Sequence, residues 1–432
     1  MRARVMLYCQ HLAGIGHLIR STELGRALAA ERWEVLLVCG GVVPDGYRFP
    51  DGVRVERLEA LKSDPEYKTL AACETGQDVD AVKMRRTVRL LGLFDTFAPD
   101  VLMTEMYPFG RKKFGFELEP LLERARNAER RPVIVASVRD ILVRREQQGA
   151  FEERVVSTLN RMYDAVLVHS DELVQPLSAT FHAASRIGAA VVHTGYIVSG
   201  VNGADADAMA RAARTFVTAE LNDEEFVLVS CGSGRLQAGR QLMVAALEAA
   251  EALRGRFPHR LVVCAGPLAA AEDYEQYQQM AAQQSQVVLV HDLPFLRKLM
   301  ERAALSVSLG GYNTVMELMA ARAQALVYAA EPNGDSEQRM RVDALAEGGQ
   351  LRRLEARDLI NGRLAGRIEE ALCEPLPMEP RQMDGARRSA QLLKMLLRIR
   401  QTREVFTPRA KSREGSGMGR AAAHEEDRTL CA

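Results

Sequence analysis

The feature of the sequence that most restricts the fold is the alternation of short apolar runs with longer amphipathic stretches. Residues 4–9, 35–39 and 226–231 are examples of the runs, and residues 16–31 form an amphipathic stretch with leucines at helical spacing. Runs that are apolar throughout are typical of strands covered on both faces, as in a parallel sheet. The alternation therefore predicts repeated β-α-β units and an α/β fold.

The β-α-β pattern restarts once along the chain. Residues 195–222 are rich in Gly, Ala and Asp and contain no strand-like run, and a new series of runs starts at Phe226. We therefore predict two Rossmann-like parallel-sheet domains, which a chain of 432 residues is long enough to form. The expected parts are an N-terminal domain (1–195), a linker (196–222), a C-terminal domain (223–380), an amphipathic helix that packs back on the protein or lies on a membrane (381–405), and a disordered tail (406–432).

The composition limits what the chain binds and where it works. Lys plus Arg equals Asp plus Glu at 57 each, and this balance argues against a dedicated nucleic-acid-binding protein. The seven cysteines include no Cys-x-x-Cys pair, so we interpret them as reduced thiols of a cytoplasmic protein.

No apolar run reaches the roughly 18 residues of a membrane span. The basic segments 85–97 and 111–114 nevertheless leave open a peripheral contact with the inner face of a membrane. No His/Cys cluster has metal-binding spacing, so neither a metal nor another cofactor is predicted.

A glycine turn follows the first predicted strand. Gly14 and Gly16 precede His17 at the start of a helix, where backbone N–H groups and the helix dipole favour an anion. The dinucleotide fingerprint would need a third glycine at Ile19 and an acidic residue after Cys39, so a nicotinamide or flavin dinucleotide is not expected. Because α/β sheets bind ligands at the carboxyl ends of their strands, His17 is a candidate functional residue. The alternative is an ordinary structural histidine.

Two further glycine turns occur in the second half. One is 232–235 (Gly-Ser-Gly-Arg), and the other lies in 308–317 (Ser-Leu-Gly-Gly-Tyr-Asn-Thr-Val-Met-Glu). Glycines at such a turn let a phosphate approach the backbone closely. Thr314 and Glu317 are three residues apart and share a helix face, where a carboxylate can accept hydrogen bonds from both hydroxyls of a ribose. The alternative is that Glu317 only complements the helix dipole.

Other polar residues follow predicted strands. Glu337 and Gln338 open the helix after a Pro/Gly loop, and both side chains can bond sugar hydroxyls. In the first half, the loops 104–113 and 137–140 are expected to face the same cleft as His17. They carry Glu105, Arg111, Arg139 and Asp140. The cations could bind an anionic acceptor or form a solvated basic loop.

Residues 291–295 (His-Asp-Leu-Pro-Phe), 309–317 and 337–338 resemble the donor half of family-28-like glycosyltransferases, which include the N-acetylglucosaminyltransferase that completes lipid II. Segments 14–20 (Gly-Ile-Gly-His-Leu-Ile-Arg), 108–111 (Pro-Phe-Gly-Arg) and 137–142 (Ser-Val-Arg-Asp-Ile-Leu) resemble a related bacterial group of predicted glycosyltransferases. The resemblance covers roughly residues 3–400. It implies the GT-B fold, in which two Rossmann-like domains face a central cleft and the last helix crosses back to the first domain.

The resemblance also implies a site for a uridine diphosphate sugar. The base would lie at Leu293 and Phe295, the ribose at Glu317, and the sugar at Glu337 and Gln338. The diphosphate would lie at the two glycine turns: Gly232, Ser233, Gly234, Arg235, Gly310, Gly311, Asn313 and Thr314. The acceptor would meet residues of the first half: Gly14, Gly16, Glu105, Arg111 and Arg139. The N-terminal loop is less glycine-rich than in the lipid II enzyme, so that enzyme's acceptor is not carried over.

The predicted function is metal-independent transfer of a hexose or N-acetylhexosamine to an acceptor hydroxyl, with inversion. His17 is the first candidate for the base that takes the hydroxyl proton, and Asp140 is the second or orients His17. The acceptor can be a lipid, a glycan or a metabolite. A sugar-nucleotide 2-epimerase or hydrolase, and a non-catalytic sugar-nucleotide-binding protein, are the alternatives.

Overall fold

The computed structural model describes residues 2–406 except 13–14, 64–68, 75, 200–203, 257, 332–335 and 378–379. Gly14, one of the predicted acceptor-binding residues, lies outside the described residues. All of the predicted tail after residue 406 lies outside them as well.

The first half is built on a seven-stranded parallel sheet. In chain order its strands are β1 (Arg4–Cys9), β2 (Glu34–Cys39), β3 (Val53–Arg57), β6 (Val101–Glu105), β7 (Val133–Arg139), β8 (Ala165–His169) and β9 (Ala190–His193). Their order across the sheet is β3-β2-β1-β6-β7-β8-β9. A short antiparallel hairpin, β4 (Leu61–Ser63) and β5 (Leu70–Ala72), stands beside it. The helices of this half are α1 (Gly16–Ala30), α2 (Val79–Phe97), α3 (Gly115–Asn127) and α4 (Gln148–Met162).

The second half repeats the architecture with a six-stranded parallel sheet. Its strands are β10 (Phe226–Ser230), β11 (Arg260–Cys264), β12 (Val287–Val290), β13 (Leu305–Leu309), β14 (Ala325–Tyr328) and β15 (Arg352–Leu354), in the order β12-β11-β10-β13-β14-β15. The remaining helices are α5 (Ala204–Leu221), α6 (Gln237–Leu253), α7 (Ala271–Ala281), α8 (Leu296–Met300), α9 (Tyr312–Ala321), α10 (Glu337–Glu347), α11 (Arg363–Cys373) and α12 (Gly385–Phe406).

The predicted fold class is confirmed, and the reason is visible in how the strands are buried. Every residue of β6, β8, β10 and β13 is buried. In β8 and β10, alternate apolar residues belong to separate apolar clusters on the two faces of the sheet. In β13, Leu305, Val307 and Leu309 join one cluster, and the alternate residues Ser306 and Ser308 are buried on the other face. Both faces of the strands are therefore covered, as expected for a parallel sheet.

The segment predicted as a linker is largely helical. Helix α5 occupies most of 196–222. Its Ala213, Val217 and Leu221 are buried in the same apolar cluster as Phe226 of β10. These residues recur every fourth position and form one stripe, so α5 packs as part of the second half.

The chain crosses between the halves twice, and the two crossings lie side by side. The N–H of Tyr196 donates to the carbonyl of Gln382 at 2.8 Å, and the N–H of Gly385 donates to the carbonyl of Tyr196 at 2.9 Å. Gly195 has a φ of 83°, and a Cβ there would come 2.6 Å from the Gln382 carbonyl oxygen. Only glycine fits this approach.

Beyond the second crossing, α12 packs on the first half. It contacts α1, and Leu393 is buried in the first half's apolar cluster. Lys394 Nζ lies 2.5 Å from Glu31 Oε2 at the end of α1. None of the described helices is long and apolar enough to cross a membrane.

Candidate active site

A cavity of about 250 Å³ lies between the two halves, at the carboxyl ends of both sheets. Four residues from the first half line it: Gly16, His17, Arg20 and Arg139. Ten residues from the second half line the opposite side: Cys231, Gly232, Ser233, Leu236, Leu309, Gly311, Tyr312, Asn313, Thr314 and Gln338. The glycine turns that the sequence singled out in separate parts of the chain therefore meet in one place.

The N-terminus of α9 opens onto this cavity. Gly311 caps the helix without a side-chain hydrogen bond, and no acidic residue lies in the first turn. A Cβ on Gly311 would meet no atom within 4 Å, so the cavity side of the turn is open. The first N–H groups of a helix have no intrahelical acceptor and lie at the positive end of the dipole. This turn is therefore suited to an anion such as a diphosphate.

A second glycine turn faces the first. Gly232 and Gly234 have φ values of 67° and 83°, in the left-handed region that favours glycine. A Cβ on Gly232 would lie 4.0 Å from Thr314 Oγ1. A Cβ on Gly234 would clash with the carbonyl of Ala265 at 2.6 Å. Gly234 thus lets the turn pack on the next loop, whereas Gly232 lies beside Thr314 at the cavity.

Glu317 lies one turn beyond Thr314 on the same helix. Its carboxylate has no hydrogen bond or ion pair with any described residue. Burial is the main cause that raises the pKa of Glu317 to about 7, and the charge of Arg297 only partly opposes it. A half-buried carboxylate without donors is costly unless a ligand supplies them.

The side chain of His17 is positioned by a hydrogen bond to another residue of the first half. Its Nδ1 lies 2.6 Å from Oε1 of Glu105, which is fully buried at the end of β6. Arg20 also donates to that oxygen. A carboxylate only accepts, so Nδ1 carries the proton, and the Nε2 lone pair has no partner among the described residues. Burial, the largest cause, lowers the pKa of His17 to about 4, and the imidazole is neutral at neutral pH.

This geometry corrects two predictions. Glu105 was expected to contact the acceptor, but it is fully buried and serves as the partner of His17 and Arg20. The charges of His17 and Arg20 outweigh burial and hold the pKa of Glu105 well below its usual value. Glu105, rather than Asp140, therefore orients His17.

Asp140 instead joins the two halves. Its Oδ2 accepts from Arg341 Nε at 2.7 Å and its Oδ1 accepts from Arg341 Nη2 at 3.1 Å, with both side chains buried. Although burial opposes it, the Arg341 charge holds the pKa of Asp140 below its usual value. Because both carboxylate oxygens are engaged, Asp140 is not placed to accept a substrate proton, and the prediction that it acts as a base is corrected.

Glu337 and Arg139 belong to the same interdomain network. Glu337 Oε1 lies 2.7 Å from Arg341 Nη2, and its Oε2 lies 2.5 Å from Arg139 Nη2. Arg139 also lines the cavity, so its predicted contact with the acceptor and the predicted sugar contact of Glu337 stay predictions, in which a ligand would meet this ion pair. Gln338 lines the cavity while its Oε1 accepts from the Ala330 N–H at 3.2 Å.

The other predicted residues lie around the cavity rather than in it. Arg235 is exposed outside it. Leu293 and Phe295 pack in the core of the second half, so a base at this loop would meet its backbone. Gly310 is pressed against α10, because a Cβ there would lie 2.8 Å from Val342 Cγ2. Arg111 lines a different pocket of the first half.

Three cleft residues were not predicted: Arg20, Tyr312 and Arg341. The ring of Tyr312 lies between two guanidinium groups, 5.9 Å from that of Arg20 and 5.0 Å from that of Arg341. Arg20 is one turn after His17, and Arg341 is one turn after Glu337. Helical spacing from those candidates was the available signal.

The comparisons with known proteins agree with this architecture. Residues 16–195 match a family model described as Glycosyl transferase 4-like domain. The structure is similar to CalG4, the calicheamicin glycosyltransferase, at 16% identity and a TM-score of 0.54, over 95% of this chain and 100% of that chain. It is also similar to UGT2 of Phytolacca americana complexed with UDP-2-fluoroglucose and pterostilbene, at 14% identity and a TM-score of 0.55, over 95% and 97% of the two chains. This is the GT-B glycosyltransferase fold.

A glycosyltransferase from Rickettsia africae ESF-5 shares this GT-B fold, at 10% identity and a TM-score of 0.54, over 95% of this chain and 99% of that chain. No curated protein sequence matches the chain. The matched family model and the fold together support a glycosyltransferase, whereas the resemblance of the second half to family 28 stays a prediction. Within the described part of the chain, no group of three or more His, Cys, Asp or Glu side chains is arranged to hold a metal ion.

Proposed function

We propose that the protein transfers a hexose or N-acetylhexosamine from a UDP-linked sugar to an acceptor hydroxyl, without a metal and with inversion. The observation that carries this proposal is the unpaired carboxylate of Glu317. Glu317 itself does not line the cavity, but it lies one turn beyond Thr314 and the open N-terminus of α9, which do line it opposite His17.

The second half supplies the donor contacts in this proposal. The ribose hydroxyls donate to Glu317, and the diphosphate lies at the N-terminus of α9, between Thr314 and the Gly232 turn. Backbone N–H groups and the helix dipole stabilise the negative charge that develops as the diphosphate leaves. The uracil base contacts the backbone of the loop at 293–295, in keeping with the burial of the side chains there.

The first half supplies the catalytic base. The acceptor oxygen forms a bond to the anomeric carbon as the bond to the diphosphate breaks, and a single displacement inverts that carbon. Nε2 of neutral His17 takes the hydroxyl proton. Glu105, bonded to Nδ1, fixes the ring and stabilises the imidazolium that forms.

Calorimetric titration of UDP into the wild type, Glu317→Ala and Glu272→Ala tests the donor site. Glu272 is an exposed glutamate in the first turn of α7 and serves as the matched control. We expect Glu317→Ala to weaken UDP binding roughly 10- to 100-fold, because two hydrogen bonds to a charged group are lost, and Glu272→Ala to bind like the wild type.

Two results would contradict the proposal. Binding of a different nucleoside diphosphate in place of UDP would leave the fold intact but overturn the donor. Rapid release of UDP from a UDP-sugar without any acceptor would favour a hydrolase or 2-epimerase.

Cytoplasmic location and peripheral membrane contact are also proposals. Helix α2 exposes Met84 and Val88, and both lie beside arginines. However, Arg85 pairs with Glu59 and Arg89 pairs with Glu56, which reduces the net positive charge of this face. Co-sedimentation with anionic vesicles tests whether this helix or the basic loop at 111–114 binds a membrane.

A further inference from the structure

A second pocket, of about 420 Å³, lies in the first half and is lined by no carboxylate. Its charged and aromatic walls are Phe109, Arg111, Lys112, Lys113, Phe114, Arg145, Phe151 and Arg154. We call it the cationic pocket. Arg111, Lys112, Arg145 and Arg154, which form no ion pair with a described residue, repel each other around this cavity, and such an arrangement is stabilised by an anion.

Arg111 is the most constrained of these cations. Its backbone has a φ of 58°, in the left-handed region that is strained for an arginine. Its Nε and Nη2 are buried and have no acceptor among the described residues. The charge of Arg111 helps to lower the pKa of Glu105, but these two guanidinium nitrogens have no hydrogen bond, so they are available to a ligand.

Arg145 and Arg154 form the opposite wall. Their guanidinium carbons lie 5.8 Å and 5.6 Å from the centre of the Phe151 ring, so the ring is stacked against both. Neither arginine forms an ion pair with a described residue. Burial is the main cause that lowers the pKa of Arg154, and the nearby charge of Arg145 lowers it further.

The cationic pocket is close to His17. Leu12, which follows β1 and leads towards the helix of His17, lines the pocket. The positive charge of Arg111 is one of the causes that lower the pKa of His17. An anion bound at Arg111 would offset that charge and make His17 a stronger base, so an acceptor with an anionic group would assist its own deprotonation.

We propose that the cationic pocket binds a phosphate group of the acceptor, so that the acceptor is a phosphate-bearing alcohol whose adjacent apolar part contacts the phenylalanines. A phosphate matches five cations better than a singly charged carboxylate does, because it carries close to two charges and three acceptor oxygens at neutral pH. The inference rests on the proposed function, since it assigns the second substrate of that reaction.

The test is titration of phenyl phosphate into the full chain in the presence of saturating UDP, which keeps the probe out of the donor site. We expect binding that weakens roughly tenfold or more in Arg111→Gln and in Arg145→Gln, because each loses a charge-assisted contact. Arg126→Gln, an exposed arginine on α3 outside the pocket, is the matched control and should bind like the wild type. The neutral analogue benzyl alcohol should bind far more weakly than phenyl phosphate.

The same variants identify the source of the phosphate. Wild-type binding to phosphatidylcholine vesicles that contain phosphatidic acid, lost in Arg111→Gln and Arg145→Gln, indicates a lipid-linked acceptor. Binding of phenyl phosphate without binding to these vesicles indicates a soluble one.

The inference is overturned if the wild type does not bind phenyl phosphate at millimolar concentrations, or if both pocket variants bind as well as the wild type. These outcomes are separate from failure of the donor site. If UDP does not bind, the probe is titrated alone, and comparison of the pocket variants with Arg126→Gln still decides this inference.

Discussion

The two sides of the cleft are built in opposite ways. The first half presents side chains that are already paired, such as His17 with Glu105 and Arg139 with Glu337. The second half presents the open turn at Gly311, the Gly232 turn and the unpaired carboxylate of Glu317. On the first side these side chains form ion pairs within the protein, although Arg20 Nε, Glu105 Oε2 and Arg139 Nε have no hydrogen-bond partner among the described residues. The second half leaves a backbone turn and a carboxylate that a ligand could satisfy.

This difference indicates a division of labour under the proposed function. A catalytic base needs a fixed ring and a fixed tautomer, and internal hydrogen bonds provide both. A site for a nucleoside diphosphate needs free backbone donors and a free acceptor, which internal pairing would remove. The charges of the cationic pocket depart from this pattern on the first side, and there we infer a ligand too.

Replacement of His17 tests the paired side with the largest expected effect. His17→Ala should lower the transfer rate by roughly 10²- to 10⁴-fold, because the acceptor hydroxyl loses its base. The rate is measured as UDP release in the presence of acceptor. UDP affinity, measured in the same preparation, should stay unchanged because the donor contacts belong to the other half. A parallel loss of UDP affinity would show that the two sides are not separate in function.

Asp140→Asn tests the buried ion pair that joins the paired side to the other half. The substitution leaves Arg341 buried with only Glu337 as its anionic partner, and we expect the free energy of unfolding to fall by about 3 kcal/mol. Denaturant unfolding checks this value. The double variant Asp140→Leu/Arg341→Met, which removes both charges, should recover most of the loss. A single variant as stable as the wild type would mean that the buried pair does not hold the halves together.

Glu317→Gln tests the open side with a smaller effect that depends on pH. A charged carboxylate that is half-buried destabilises the folded protein. Its pKa is accordingly raised from 4.5 to about 7 on folding. This destabilisation is absent below about pH 4.5 and complete above about pH 7. We therefore expect the free energy of unfolding of Glu317→Gln to be about 2 kcal/mol higher than that of the wild type at pH 8, and equal to it at pH 4. Equal stability at both pH values would contradict the unpaired state of Glu317.

The fold could be predicted because the information is local. Strands such as β2 and β10 are almost continuously apolar, and the chain alternates them with helices of ordinary length. Helix α5 was missed because its many alanines give a weak apolar contrast, although Ala213, Val217 and Leu221 recur every fourth residue. An apolar stripe made partly of alanine is hard to distinguish from a loop of the same composition.

The site could be predicted only as far as backbone turns and helix ends determine it. The glycines at 232 and 311 follow strands directly, and both reach the cavity. Side-chain pairing could not be predicted, since Glu105 and His17 are 88 residues apart and Asp140 and Arg341 are 201 residues apart. Which charged side chains pair with each other depends on tertiary packing, and this is why the pairing of Asp140 with Arg341 was not predicted.

The adjacent crossings at Tyr196 and Gln382 have a consequence for how the protein is organised along its chain. Since α12 belongs to the first half, that half is made of two segments separated in sequence, and the second half is inserted between them. The ends of the insertion are joined by backbone hydrogen bonds of 2.8 Å and 2.9 Å. A short peptide could therefore replace the whole insertion and leave the first half, with its last helix, as one continuous chain. In this sense the second half is a module carried by the first half.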